Sequence, residues 1–196
     1  VVVTVDGGRI RERRPVPGRP RKSGHHAYKG IWREPKLLVI YVVDAEGEVD
    51  DGFRPVYDGT LGDCNALEAM LVGYLRALGA HEAEVVEFIG DGALWIWDRT
   101  QEVAKQAGIP KERVREVIDW YHAVEKLGET ASTKSDWSDG GKAEWLKQAK
   151  KALHAGATHE VERLILSLAP TDDSEAMKSH VPYFTRNGHR MRYADF

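Results

Sequence analysis

Two short runs of strand-forming residues, each stopped by an aspartate set beside glycine, constrain this chain more than any other feature. Val1 to Val5 (VVVTV) runs into Asp6-Gly7-Gly8, and Glu84 to Ile89 (EVVEFI) runs into Gly90-Asp91-Gly92. β-Branched and aromatic residues favour extended backbone, while Asp and Gly favour turns, so each run reads as a buried strand with an acid at its end. A chain with two such strands builds a sheet, and the acids fall on a strand-end edge of it.

The intervening segments supply the rest of a sheet and its helices. Lys36 to Val43 (KLLVIYVV) is a continuous apolar strand, and Phe53 to Tyr57 is a third strand that Pro55 places at an edge. Asp63 caps a helix whose apolar positions Leu67, Met70, Leu71, Tyr74, Leu75 and Leu78 follow the helical period up to Gly79. A second helix runs from about Leu94 to Gln106 and stops at Gly108 and Pro110. On such a helix Trp95 and Trp97 fall on opposite sides, so at least one packs in the core. Val114 to Asp119 (VREVID) fits helix or strand by periodicity, and its β-branched content together with the preceding strand-helix unit favours a fifth strand. Three further helices are expected near 121–127, 141–153 and 159–168, followed by a polar tail anchored by Tyr183, Phe184, Tyr193 and Phe196. Between Arg9 and Pro35 four prolines and several glycines break any period, so a loop or extended excursion is expected there, with a short strand at Ile10.

Three antiparallel strands, a helix, a strand, a helix and a further strand is the element order of the RNase H fold. The expected architecture is α/β: an RNase-H-like mixed five-stranded sheet flanked by helices over residues 1–134, followed by a helical insertion over 135–196. In a sheet that pairs the first strand with the strand ending at Asp91, the carboxylates of Asp6 and Asp91 emerge at neighbouring strand ends. Phosphodiester chemistry with two divalent ions needs such converging acids, because hard cations take oxygen ligands. The plain alternatives are an Asp-Gly turn at Asp6 and a helix cap at Asp91. Asp119 and His122, in Asp-Trp-Tyr-His, form a third constellation whose plain alternative is a capping Asp and a partly buried His.

Charge is distributed unevenly although the net value is only −3. Residues 9–33 carry nine Lys or Arg and one acid, Glu12, whereas residues 44–102 carry fourteen acids against Arg54, Arg76 and Arg99. Arg9, Arg11, Arg13, Arg14, Arg19, Arg21 and Lys22 therefore form a basic arm directly after the first acid, suited to neutralising DNA phosphates or simply to solvation. His25 and His26 lack partners at metal-ligand spacing. The single cysteine, Cys64, excludes an internal disulfide, no apolar run approaches the roughly 18 residues of a membrane span, and no signal peptide is visible, so a cytoplasmic setting is expected.

Four segments, VTVDGGRIRER, IGDGALWIWD, VIDWYHAVEKL and YFTRNGHRMRYADF, resemble the Kra group of insertion-sequence transposases, members of the DDE class with an RNase-H-like catalytic domain. The resemblance extends over essentially the whole chain, and the second and third segments are its most specific part. It implies that Asp6 and Asp91 ligate catalytic Mg²⁺ or Mn²⁺. The Asp119 to His122 pattern is similar to a Cys/Asp-x-x-His signature of related transposases. It further implies double-stranded DNA as partner, at transposon ends and target, with a homodimer among the assemblies open to it. The family's third carboxylate is a Glu beyond the segment resembling RMRYADF, so the chain is expected to be a fragment, either excised or from a decayed element. Such a fragment would be inactive by itself unless Asp119 or Glu125 supplies the third ligand. A haloacid-dehalogenase-like phosphatase also places Gly-Asp-Gly after a strand. Its first motif, however, is Asp-x-Asp, where this chain has Asp6-Gly7-Gly8, and it needs an acid where Leu94-Trp95-Ile96 stand. Two readings stay beside the transposase: an RNase-H-like nuclease, and a DNA-binding remnant without chemistry.

Overall fold

The computed structural model describes residues 1–18, 22–168 and 175–195. Its elements run in the order β1 (Val2–Gly7), β2 (Ile10–Pro15), β3 (Tyr28–Arg33), β4 (Lys36–Tyr41), β5 (Val56–Thr60), α1 (Cys64–Ala77), β6 (Val86–Gly90), α2 (Leu94–Gln106), β7 (Val114–Ile118), α3 (Trp120–Ser132), α4 (Asp139–His154), α5 (Thr158–Leu168) and α6 (Glu175–Asn187). Five strands make one sheet in the order β5-β4-β1-β6-β7, and β2 pairs with β3 in a separate two-stranded sheet. This is the α/β arrangement with a five-stranded mixed sheet that the strand-forming runs demand. The chain divides into two compact units, residues 1–88 with 98–114, and residues 89–97 with 115–196.

In the first unit β1 and β5 flank β4, both antiparallel to it, with Asp6 opposite Leu37 and Val5 opposite Leu38. The amino group of Val1 donates to the carbonyl of Val85 at 2.9 Å, and the carbonyl of Val1 accepts from the amide of Glu87 at 2.9 Å. One residue bonding to both neighbours of Val86 is the pattern of a parallel pair. Val3, Leu38, Ile40, Leu75, Val86 and Phe88 are among the buried side chains of this unit. Asp63 caps α1 as expected, its Oδ1 accepting from the Ala66 amide at 3.0 Å. Ion pairing and capping tie the helices together: Arg99 meets Glu68 at 2.6 Å, and Arg76 donates to the Gln106 carbonyl at the end of α2. β5 starts three residues later than expected, at Val56, because Pro55 lacks the amide that a strand residue needs to donate.

Within the extended excursion from Arg9 to Pro35 the expected strand at Ile10 is present as Ile10–Pro15, and it pairs antiparallel with a second strand, Tyr28–Arg33, that the sequence pattern does not announce. Its polarity is real, and what orders it is pairing across the strands. Glu12 accepts from Arg14 at 2.9 Å and from Arg33 at 3.0 Å, and these two hydrogen bonds hold its carboxyl below the usual range. Periodicity carries no trace of such contacts.

In the second unit α3 packs on α4 and α6, α4 on α5, and α5 on α6. Leu127, Trp145, Leu153, Ile165 and Phe184 are buried among them. Ser138 caps α4 through the Gly141 amide. α3 continues five residues beyond Leu127 because Thr130 and Ala131 are core residues of this bundle. Thr130 Oγ1 lies 2.7 Å from His180 Nδ1, and His180 Nε2 lies 3.1 Å from Glu129 Oε2.

Burial lowers the pKa of His180 below the ordinary value of 6.5, against the attraction of Glu129. A histidine depressed in the folded state contributes stability that is fully present above its unfolded pKa and is lost as pH falls through the folded value. The melting temperature should therefore fall as pH is lowered from about 7 through the window below 6.5. Histidine to glutamine at position 180 should flatten that slope, and a thermal melt series against pH reads both.

Candidate metal-binding carboxylates

Each acid stands at the end of a strand and uses one oxygen to shape its own turn. Asp6, exposed in β1, accepts from the Gly7 amide at 2.7 Å through Oδ1. Asp91 follows β6 and accepts from the Ala93 amide at 2.8 Å, which turns the chain into α2. Asp119 follows β7 and caps α3, accepting from the His122 amide at 2.9 Å. The plain reading of Asp119 as a cap is realised, whereas Asp91, read as a cap of the next helix, instead turns the chain through the Ala93 amide before α2 begins; both leave the second oxygen of the carboxylate without a hydrogen bond among the described residues. A capping carboxylate with one oxygen committed can still ligate through the other.

Asp91, Asp119 and His122 belong to the second unit, and Asp6 and the basic arm to the first. Within the second unit the two aspartate turns are tied together. The Asp119 amide donates to the Gly90 carbonyl at 2.8 Å, so the chain leaving β7 is fixed one residue from Asp91. Tyr183 on α6 donates its hydroxyl to the Asp91 carbonyl at 3.1 Å, and Tyr193 donates to the Ile118 carbonyl at 3.0 Å, one residue before Asp119. Burial raises both phenol pKa values first, with the negative charge of Asp119 adding to each and that of Asp91 adding to Tyr183. Each hydroxyl therefore favours its protonated form, in which it donates to the carbonyl. Gly92 sits at φ 95°, and a Cβ there would come within 2.7 Å of the Tyr183 ring. The glycine after Asp91 is required both for the turn and for the ring that supports it.

His122 Nδ1 lies 3.6 Å from Asp119 Oδ1 at the start of α3, and the ring is more than a third exposed. It is a partly exposed neighbour of the cap, not a core histidine. Trp97 is buried while Trp95 is intermediate, as opposite helix faces require, and Arg190 stacks over Trp97 with its Cζ 4.7 Å from the ring centroid. The sequence marks Tyr183 and Tyr193 as apolar anchors, but not as hydroxyl donors to the two acid-bearing turns. Two tyrosines ten residues apart in a polar tail are the signal, and only the folded chain shows which carbonyls they meet.

The basic arm is distributed over the hairpin. Arg14 is engaged by Glu12, whereas Arg9, Arg11 and Arg13 lie against aromatic rings, and Lys22 is exposed. Arg19 and Arg21 lie outside the described residues.

A divalent ion fits the donor chemistry only in part. Asp6, Asp91 and Asp119 offer hard carboxylate oxygens of the kind Mg²⁺ and Mn²⁺ take. Among the described residues, however, no group of three or more His, Cys, Asp and Glu side chains is gathered for an ion. Two carboxylates are a weak ligand set that needs further ligands from substrate or protein. No helix among the described residues is long and apolar enough to cross a membrane. No family model matches the chain, and neither curated proteins nor solved structures yield a match.

Proposed function

We propose that this chain is the RNase-H-like catalytic core of a DDE transposase of the Kra type, whose Asp6 and Asp91 hold Mg²⁺ or Mn²⁺ for cleavage and strand transfer of double-stranded DNA. One observation carries the reading: acids stand at the ends of β1, β6 and β7, which are consecutive in the strand order of a mixed sheet. A bound divalent ion would activate the attacking oxygen and stabilise the leaving one. The chain's own contribution is to present one free carboxylate oxygen from each turn. The Tyr183 and Tyr193 hydroxyls, which stay neutral, brace the turns of Asp91 and Asp119. The basic arm supplies the phosphate contacts, independent of sequence, that such a core needs.

Positioning ions for in-line displacement is geometric work, in which a misplacement of about 1 Å costs about a hundredfold. With two carboxylates as the metal ligands, residues 1–196 alone are expected to cleave a labelled duplex weakly or not at all in Mg²⁺ or Mn²⁺. The assay compares the chain with Asp6→Asn, Asp91→Asn and Asp119→Asn. Asparagine retains the capping oxygen at each turn, so the substitutions remove charge and leave the turn in place. Robust cleavage lost in all three variants would place the third acid at Asp119 and make the chain a self-sufficient nuclease. Cleavage that survives both Asp6→Asn and Asp91→Asn would overturn the assignment of these two acids.

A further inference from the structure

The hairpin of β2 and β3 presents two unlike faces. Residues directly opposite in an antiparallel pair share a face, and alternate residues along a strand share it too. The register sets Arg11 opposite Trp32, Arg13 opposite Gly30 and Pro15 opposite Tyr28. One face therefore carries Arg11 and Arg13 with Tyr28 and Trp32, and Arg9 extends the same row. Arg9 and Arg11 lie over the Trp32 ring at 5.3 Å and 6.0 Å from its centroid, and Arg13 lies over Tyr28 at 4.6 Å. The single acid of the two strands, Glu12, is on the opposite face, bonded to Arg14 and Arg33. Three guanidinium groups on the aromatic face are thus left without a carboxylate on that face to neutralise them.

Exposure decides what such a face is for. Trp32 is 58% exposed and Tyr28 48% exposed, in a two-stranded hairpin where burying them would have added stability. The rings stand four residues apart on one strand, about 13 Å at the rise of extended chain. Gly30 between them has no side chain, and the Arg11 guanidinium occupies the space that a Cβ would take. The result is two half-exposed aromatic rings with the Arg11 guanidinium over the glycine between them and Arg9 and Arg13 against the ring faces.

We infer that this face binds an unpaired nucleic-acid strand, with bases stacked on Tyr28 and Trp32 and phosphates held by Arg9, Arg11 and Arg13. Aromatic rings flanked by arginines suit single strands because every unpaired base offers a π-face while the backbone supplies the charge. Duplex DNA hides those faces in its own stack, so duplex binding needs the arginines only. The inference shares with the proposed function the choice of a nucleic-acid partner and makes no use of the carboxylates.

The test is fluorescence anisotropy of a labelled oligo-thymidine of about 12 nucleotides, without metal, against the full chain at several salt concentrations. A duplex of the same length, an oligo-uridine and anionic phosphatidylserine vesicles run in parallel. The single strand should bind more tightly than the duplex. Trp32→Ala and Tyr28→Ala should each weaken it roughly five- to a hundredfold, whereas Trp32→Phe keeps most of the affinity and shows that the loss is not misfolding. Arg13→Gln should lower the salt slope by about 0.7. Oligo-uridine binding as well as oligo-thymidine would support a surface that reads base and phosphate and ignores the sugar. Unchanged affinity in both ring variants would overturn the inference. So would an equal loss for duplex and single strand, or binding to vesicles in preference to oligonucleotide. Loss in the ring variants with intact ion binding in the carboxylate variants would sink the metal assignment alone, and the reverse pattern would sink this inference alone.

Discussion

Replacing Arg190 with alanine should lower the stability of the chain by roughly 1.5 to 3 kcal/mol, the usual worth of a hydrogen bond to a charged group. Arg190 Nε donates to Glu116 Oε2 at 2.7 Å, both side chains are only 15% exposed, and the guanidinium stacks on buried Trp97. The pair ties the segment after α6 to β7, the strand that delivers Asp119. Glu116→Ala should destabilise by a similar amount, since it leaves the Arg190 charge with only the Trp97 ring and a long contact to Asn187 Oδ1. Lysine at 190 would restore charge but neither the planar stack nor the directed Nε bond, so it should rescue only part of the loss. Urea denaturation of the single and double variants reads the coupling. A double variant no worse than either single one is expected, and strictly additive losses would show that the two side chains do not depend on each other.

The same contact shows what could and could not be read from residues alone. The strands β1, β4 and β6 and the helices α1 and α2 are visible because local preference and burial agree there: β-branched runs are buried, and the helical period matches Leu67, Leu71 and Leu75 in the core. The ambiguous segment at 114–118 is a strand, as its valines and isoleucine favour. The largest difference lies where distant partners decide. The hairpin at 10–33 is held by Glu12 reaching Arg33 and by arginines on rings, so a pattern of apolar residues cannot reveal it. Asp6 and Asp91 are legible because aspartate beside glycine after a strand is a local signal, and Asp119 because it ends a run rich in β-branched residues. Their supports are not: Tyr183 lies 92 residues from the Asp91 carbonyl it meets, and Tyr193 lies 75 from that of Ile118. Periodicity places an aromatic in the core, but it does not say which backbone oxygen its hydroxyl will find.

Asp6 and Asp91 matter here only if they act on one ion, and that is the claim to test first. Mn²⁺ binding, followed by electron paramagnetic resonance of free and bound ion, measures it without requiring turnover. The full chain is expected to bind the ion, and Asp6→Asn or Asp91→Asn each to weaken binding by at least about tenfold, the scale on which loss of even an indirect metal partner is felt. If one ion is shared, the double variant should be little worse than either single one, since the first substitution already removes the site. Asp119→Asn separates two cases: weakened binding makes it a third ligand, and unchanged binding leaves it as the cap of α3. Full Mn²⁺ affinity in the Asp6→Asn, Asp91→Asn double variant, or no Mn²⁺ binding by the unmodified chain, would contradict the account.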